Sequence, residues 1–244
     1  MDVATYAVEA EVEETHWWFV GRRKLFGDEL GLAGVPLDAR VLDVGTGTGS
    51  NLRMLRDLGY TRITGLDASE EAVRHCASKG FGYVRAGDIC AMPFADASFD
   101  LVLATDVIEH IDDDGRAAAE IARVLAPAGK ALITVPAFPS LWGLQDRQAF
   151  HKRRYRMGPL LDLLRSAGLK PSRSYHFNFL LFAPIWTARR LIDLAGLSLE
   201  SENQLNSSLI NRILSSIFTL DVNVARYVRA PFGVSILVVA AREG

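Results

Sequence analysis

Three acids and three glycines carry the first chemistry in this chain. The run "VLDVGTGTGSNL", residues 41–52, closes an apolar stretch with Asp43 and continues with Gly45, Gly47 and Gly49 at alternate positions. A glycine turn between a strand and a helix brings backbone N–H groups close to a nucleotide. The spacing is G-x-G-x-G, not the G-x-G-x-x-G of a dinucleotide turn, and no phosphate-loop Lys-Ser/Thr pair follows. Asp67 ends the next apolar run, "RITGLD", where a carboxylate can accept from a ribose diol. Asp88, in "AGDIC", can accept from an adenine amino group. Further on, "FDLVLATDVIEHI" brings Asp106, Glu109 and His110, and "DRQAFHKRRYRMG" gathers His151, Lys152, Arg153, Arg154 and Arg156. His110 and His151 are the candidate general bases, with Tyr155 as a hydrogen-bond partner. Cations just ahead of a helix oppose its dipole, so this cluster points to an anionic partner: a substrate carboxylate, a phosphate or a lipid headgroup. A plain solvated surface is the alternative.

These residues need a sheet to bring them to one edge. From residue 40 onward, short β-rich runs alternate with helical patterns, which implies a mostly parallel sheet. Strands are expected at Arg40–Val44, Arg62–Leu66, Gly82–Arg85, Asp100–Ala104 and Lys130–Val135, with later ones at Lys170–Asn178 and within "PFGVSILVVAARE". Helices are expected at Thr48–Leu58, Ser69–Lys79 and Asp114–Leu125, the last ended by Pro127 and Gly129, and within "GPLLDLLRSAGL". Two mostly apolar helical patterns, about Leu180–Ala195 and Leu205–Val228, interrupt the approach to the final strand.

Composition narrows the class. The chain has 244 residues, a net charge of −2 and two cysteines, Cys76 and Cys90. That charge argues against a nucleic-acid binder, and the cysteines form neither a disulfide framework nor a metal spacing. The acidic start, "MDVATYAVEAEVEE", has no apolar core of a secretion signal. The longest apolar patch, "FLLFAPIWTA", is too short to span a bilayer. The expectation is a cytoplasmic protein with a small-molecule partner.

Taken together, "LDVGTGTG", "GLDAS", "AGDICAMPFADASFDLVLATDVIEHI" and "LAPAGKALITVP" resemble the class I S-adenosylmethionine-dependent methyltransferases over about residues 38–136. Within them "DVIEHI" is most similar to the ubiquinone-type O-methyltransferases and their small-molecule relatives. The resemblance implies an α/β Rossmann-like fold of seven strands, mostly parallel with the last antiparallel. It implies one domain, 1–244: a helical N-terminal lid over 1–39, a core over 40–178 and 231–244, and a helical cap over 179–230. It implies S-adenosylmethionine as cofactor, held by Asp43, Gly45, Thr46, Gly47, Asp67, Ala68, Asp88, Ile89, Thr105 and Asp106.

The stretch "HWWFVGRRKLF" is similar to a lid helix of such enzymes, which adds Trp17 and Arg22 to the cofactor set, with Arg23 an equal choice for the methionine carboxylate. Arg154 and Tyr155 are the candidate substrate-binding residues. Some members with E-x-x-E-H hold a divalent ion there; this chain has Asp106 for the first Glu and no assigned downstream partner, so no metal is expected. The implied reaction is methyl transfer to a small acceptor, read as O-methylation of a bulky, lipophilic or anionic metabolite. A nicotinamide-dependent oxidoreductase and a non-catalytic nucleotide-binding subunit are the other readings. The apolar run from Phe179 to Trp186 must bury against an acceptor pocket, a second copy of the chain or a membrane surface.

Overall fold

The computed structural model describes residues 12–195 and 208–243, so parts of the expected lid and cap, residues 1–11 and 196–207, lie outside it. Seven strands form one sheet in the order β3-β2-β1-β4-β5-β7-β6. They are β1 (Arg40–Val44), β2 (Arg62–Asp67), β3 (Val84–Ala86), β4 (Phe99–Thr105), β5 (Leu125–Pro136), β6 (Leu169–Phe177) and β7 (Ser235–Arg242). β7 runs antiparallel to both of its neighbours, and the other pairs are parallel. The central strands are mostly apolar, as strands covered on both faces must be. Leu42, Leu66, Val102 and Ile133 face one side of the core, and Val41, Leu101, Leu103 and Leu132 face the other.

Helices flank the sheet: α1 (Trp17–Ala33), α2 (Ser50–Asp57), α3 (Glu70–Ser78), α4 (Asp114–Val124), α5 (Leu144–Gln148), α6 (Met157–Ser166), α7 (Phe182–Ala195) and α8 (Ser208–Val228). Local chemistry sets their ends. Ser69 caps α3 by accepting from Ala72 N–H, with Glu70 and Glu71 in the first turn. Asp113 caps α4 in the same way through Arg116 N–H. Gly34, left-handed at φ 64°, closes α1.

Two of the boundaries that differ from expectation have a clear physical reason. α2 begins at Ser50 rather than Thr48, because Gly49 sits at φ 86° and cannot be helical. Pro127 and Gly129 do not punctuate a helix end; α4 stops at Val124 and β5 starts at once with Leu125. Leu125 pairs with Phe99 before the register shifts, so sheet pairing extends the strand through the Pro-Gly stretch.

The lid and the cap meet each other. Trp17 packs edge-on to Phe218 of α8 and Trp18 stacks on it, each at 5.3 Å between ring centroids. Gly21 makes room for that ring. Asp221, fully buried on α8, accepts from the backbone N–H groups of Asn178 and Leu180 and ties the end of β6 to the cap.

Candidate active site

The cradle is the turn from β1 into α2. Gly45 and Gly47 have φ of 70° and 53°, a left-handed backbone that glycine adopts without penalty. A side chain at Gly45 would strike Val107, 2.6 Å away, whereas the space beside Gly47 is open. Gly45 N–H donates to the Leu66 carbonyl at 2.7 Å and Gly47 N–H to the Asp67 carboxylate at 2.9 Å. Asp67 also accepts from Ser69 N–H at 2.8 Å, so it braces the turn and starts α3 at the same time.

A cavity of about 440 Å³ opens beside this turn. Of the expected cofactor residues, Trp17, Arg22, Gly45, Thr46, Gly47, Thr105 and Asp106 line it. Asp43, Asp67, Ala68, Asp88 and Ile89 do not. Ala68 and Asp88 face solvent at the ends of β2 and β3, where an Asp88 oxygen accepts from Cys90 N–H. Ile89 and Asp67 are buried there, at 5% and 8% exposure. The expected methionine end is therefore enclosed, and the expected adenosine end is an open shelf.

Asp43 lies fully buried behind the turn. One oxygen accepts from Asn51 Nδ2 at 3.0 Å, and the other has no partner among the described residues. Burial pushes its carboxyl up to about 7, against the pull of the Asn51 hydrogen bond. Asn51 also donates to Thr105 Oγ1 at 2.9 Å, bridging the ends of β1 and β4. An open glycine cradle with an orphaned carboxylate oxygen behind it fits a bound group that carries a cation and hydroxyl donors.

The lid contributes charge. Arg22 lies over the Trp18 and Phe26 rings at 5.4 and 5.1 Å and pairs with Asp106 at 2.8 Å. Asp106 itself is left-handed, at φ 56°. Arg23 also lines the cavity and donates to the Glu13 carbonyl at 2.6 Å and Ser50 Oγ at 3.1 Å.

Across the cavity stand Glu109, His110 and His151. Glu109 is wholly buried and neither carboxylate oxygen has a hydrogen-bond partner among the described residues. Burial, reinforced by Asp106, raises its carboxyl well above the usual range. Burial and His151 lower His110 to about 4, so its imidazole is neutral. The two histidine rings meet edge to face at 4.8 Å.

His151 Nδ1 binds the buried Asp146 carboxylate at 2.8 Å, which leaves Nε2 directed at Glu109, 3.9 Å away. Burial would raise Asp146, but hydrogen bonds from His151, Arg154 and Gly143 N–H outweigh it and hold the group at about 2. Each member of Glu109, His110 and His151 offers one ligand atom, all within 4.8 Å of one another. That span and the unpaired Glu109 fit a divalent cation. His151, given no such role in the sequence reading, thus stands within reach of Glu109 and His110.

One expectation is corrected, and two are narrowed. Tyr155 is not on the cavity wall: its hydroxyl donates to Asp114 at 2.8 Å, deep in the core. Arg154 does line the cavity, but its guanidinium is engaged with Asp146 at 2.7 Å and the Ala137 carbonyl at 3.0 Å. In the basic cluster Lys152 pairs with Asp112 and Arg153 with Asp114, while Arg156 is exposed. Those carboxylates are distant in sequence, so the charge run could not reveal them.

The sequence reading also missed His16, Asn51, Asn178 and Arg189, all of which line the cavity. Asn51 had a signal, as the second residue of the helix after the glycines. The others had none, because they arrive from the lid, the end of β6 and the cap.

Comparison with known proteins agrees with this geometry. The family described as "Methyltransferase domain" matches residues 42–133. A probable S-adenosylmethionine-dependent methyltransferase of Mycolicibacterium smegmatis is 32% identical over 133 residues, 53% of this chain and 51% of that one. The malonyl-[acyl-carrier protein] O-methyltransferase of Pseudescherichia vulneris is 40% identical over 105 residues, 42% of this chain and 41% of that one. The chain thus spans about half the length of the curated relatives it matches. Among solved structures, a Thermotoga maritima SAM-dependent methyltransferase superposes with a TM-score of 0.61 at 19% identity, covering 99% of this chain and 96% of that one. That likeness speaks for the fold.

Proposed function

We propose that this chain is a class I S-adenosylmethionine-dependent methyltransferase and that it methylates an oxygen of a small, lipophilic acceptor held in the cavity between lid, cap and sheet. The observation that carries the reading is continuity: one cavity joins the Gly45–Gly47 turn to the Glu109, His110 and His151 group. When bound, the cofactor's sulfonium supplies an activated methyl, so the protein's work is alignment and exclusion of water.

The residues support that division of labour. The glycine turn and Asp43 form the cofactor side, with Asp67 and Asp88 at the open shelf. Trp17, Trp18, Ile185, Ile210 and Leu214 give the rest of the wall an apolar character suited to a lipophilic acceptor. His151 is the base: Asp146 accepts from Nδ1–H, so Nε2 carries the free lone pair that takes an acceptor hydroxyl proton. Ile185, Arg189, Ile210 and Leu214 come from residues 179–230, which supports the cap role for that stretch.

His151→Ala should lower turnover by about 10²–10⁴ and leave the affinity for S-adenosylhomocysteine, read by calorimetry, nearly unchanged. Full turnover in that variant with a phenolic or carboxylate acceptor would remove His151 from the mechanism. A second reading rests on the unpaired Glu109. Glu109, His110 and His151 would then hold a divalent ion that lowers the acceptor hydroxyl's pKa when bound. Chelator treatment separates the two, since a loss of activity restored by Mg²⁺ or Mn²⁺ belongs to the second reading alone.

A further inference from the structure

The cap leaves an apolar stripe uncovered. On α8, Leu209, Ile213, Leu220 and Tyr227 are exposed by 66%, 51%, 57% and 73%, and their spacing puts them on one side of the helix. The other side of α8, with Phe218, Val222 and Ala225, is buried. Elsewhere in the 179–232 stretch, Trp186 and Leu191 of α7 and Phe232 before β7 are also exposed. The stripe reaches the cavity, because Ile210 both lines it and is 45% exposed.

Charge decides what covers this face. Among the described side chains of 179–191 and 208–232, the exposed charged ones are Arg190, Arg212 and Arg229; Asp193, Glu200 and Glu202 fall in 192–207, outside those side chains. The acid in those stretches, Asp221, is buried. A second copy laid on the same face would set guanidinium against guanidinium. An anionic bilayer answers both features at once, taking apolar side chains at the acyl boundary and arginines at the headgroups. Trp186, with Arg190 over its ring at 5.7 Å, has the amphipathic character of an interfacial anchor. No helix of the described residues is long and apolar enough to cross a membrane, so the contact lies in the plane of the surface.

We propose that α7 and α8 seat this chain on an anionic bilayer, with the cavity edge at Ile210 turned toward the lipid. That orientation rests on reading the cavity as the acceptor pocket, and it makes the acceptor a molecule drawn from the bilayer.

The test is co-sedimentation of the full chain with phosphatidylcholine vesicles, with and without about a third phosphatidylglycerol. The wild type should bind the anionic vesicles, more weakly in high salt. The triple variant Leu209→Glu, Ile213→Glu, Leu220→Glu should bind them less by a factor on the order of ten or more. Its affinity for S-adenosylhomocysteine should be unchanged, which shows that the fold is intact. Where that affinity falls, the pair Arg212→Glu, Arg229→Glu takes its place, with the same expected loss. Equal vesicle binding by wild type and variant overturns the proposal. So does a wild-type dimer in light scattering that the triple variant dissolves. A wild type that binds S-adenosylhomocysteine but no vesicles defeats this surface and leaves methyl transfer standing. Vesicle binding without S-adenosylhomocysteine binding does the reverse.

Discussion

Asp43 couples the cofactor turn to pH. In the folded chain its carboxyl titrates near 7, mainly through burial; unfolded, it would titrate near 4. A raised acid contributes most below the unfolded value and loses that contribution as pH rises through the folded one. The wild type should therefore lose melting temperature between about pH 4 and 7 on this account. Asp43→Asn keeps the Asn51 contact and removes the titration, so it should gain stability relative to wild type at pH 8 compared with pH 5. Parallel melting curves for the two proteins would refute this assignment. Asp146 makes the opposite case, a carboxylate kept charged by its donors. Asp146→Asn should lower kcat by about 10–10³ through loss of the His151 orientation, with the acceptor KM little changed. Steady-state kinetics that instead raise KM alone would place Asp146 in acceptor binding.

At the scale of elements, one close approach sets the lid against α8. A Cβ at Gly21 would lie 2.2 Å from the Phe218 ring, so α1 and α8 pack at a distance that only glycine permits. Gly21→Ala raises helix propensity by about 1 kcal/mol, yet the overpacking costs about 1–3 kcal/mol. The net outcome should be a lower melting temperature. Adding Phe218→Leu should recover part of the loss, since the two sites couple directly. Additive effects in the double variant would mean that this contact does not set the lid's position.

On the scale of the whole molecule, Cys76 reports opening of the cofactor end. It is fully buried beneath the glycine turn, and burial pushes its thiol up to about 11. Cys90 is half-exposed. A thiol reagent should therefore label Cys90 first and reach Cys76 only through opening of the fold. Saturating S-adenosylhomocysteine should slow Cys76 labelling further, as any ligand that binds only the closed state does. Mass spectrometry of the labelled peptides distinguishes the sites; ligand-independent labelling of Cys76 would detach the cofactor site from the glycine turn.

The sheet was legible because its determinants are local. Apolar runs, caps such as Ser69 and Asp113, and glycines at left-handed positions act within a few residues of themselves. The G-x-G-x-G spacing marked the cofactor turn for the same reason. Strand and helix ends escaped where pairing overrode a local signal, as at Pro127 and Gly129. The acceptor side was legible only as residue types, His110, His151 and Arg154, since its chemistry is made by partners far apart in the chain. Only the folded structure joins His151 to Asp146 and Glu109, spends Arg153 and Tyr155 on Asp114, and brings Ile185 and Ile210 to one cavity. Burial and pairing are properties of what surrounds a side chain, and for these residues the surroundings come from other elements of the fold.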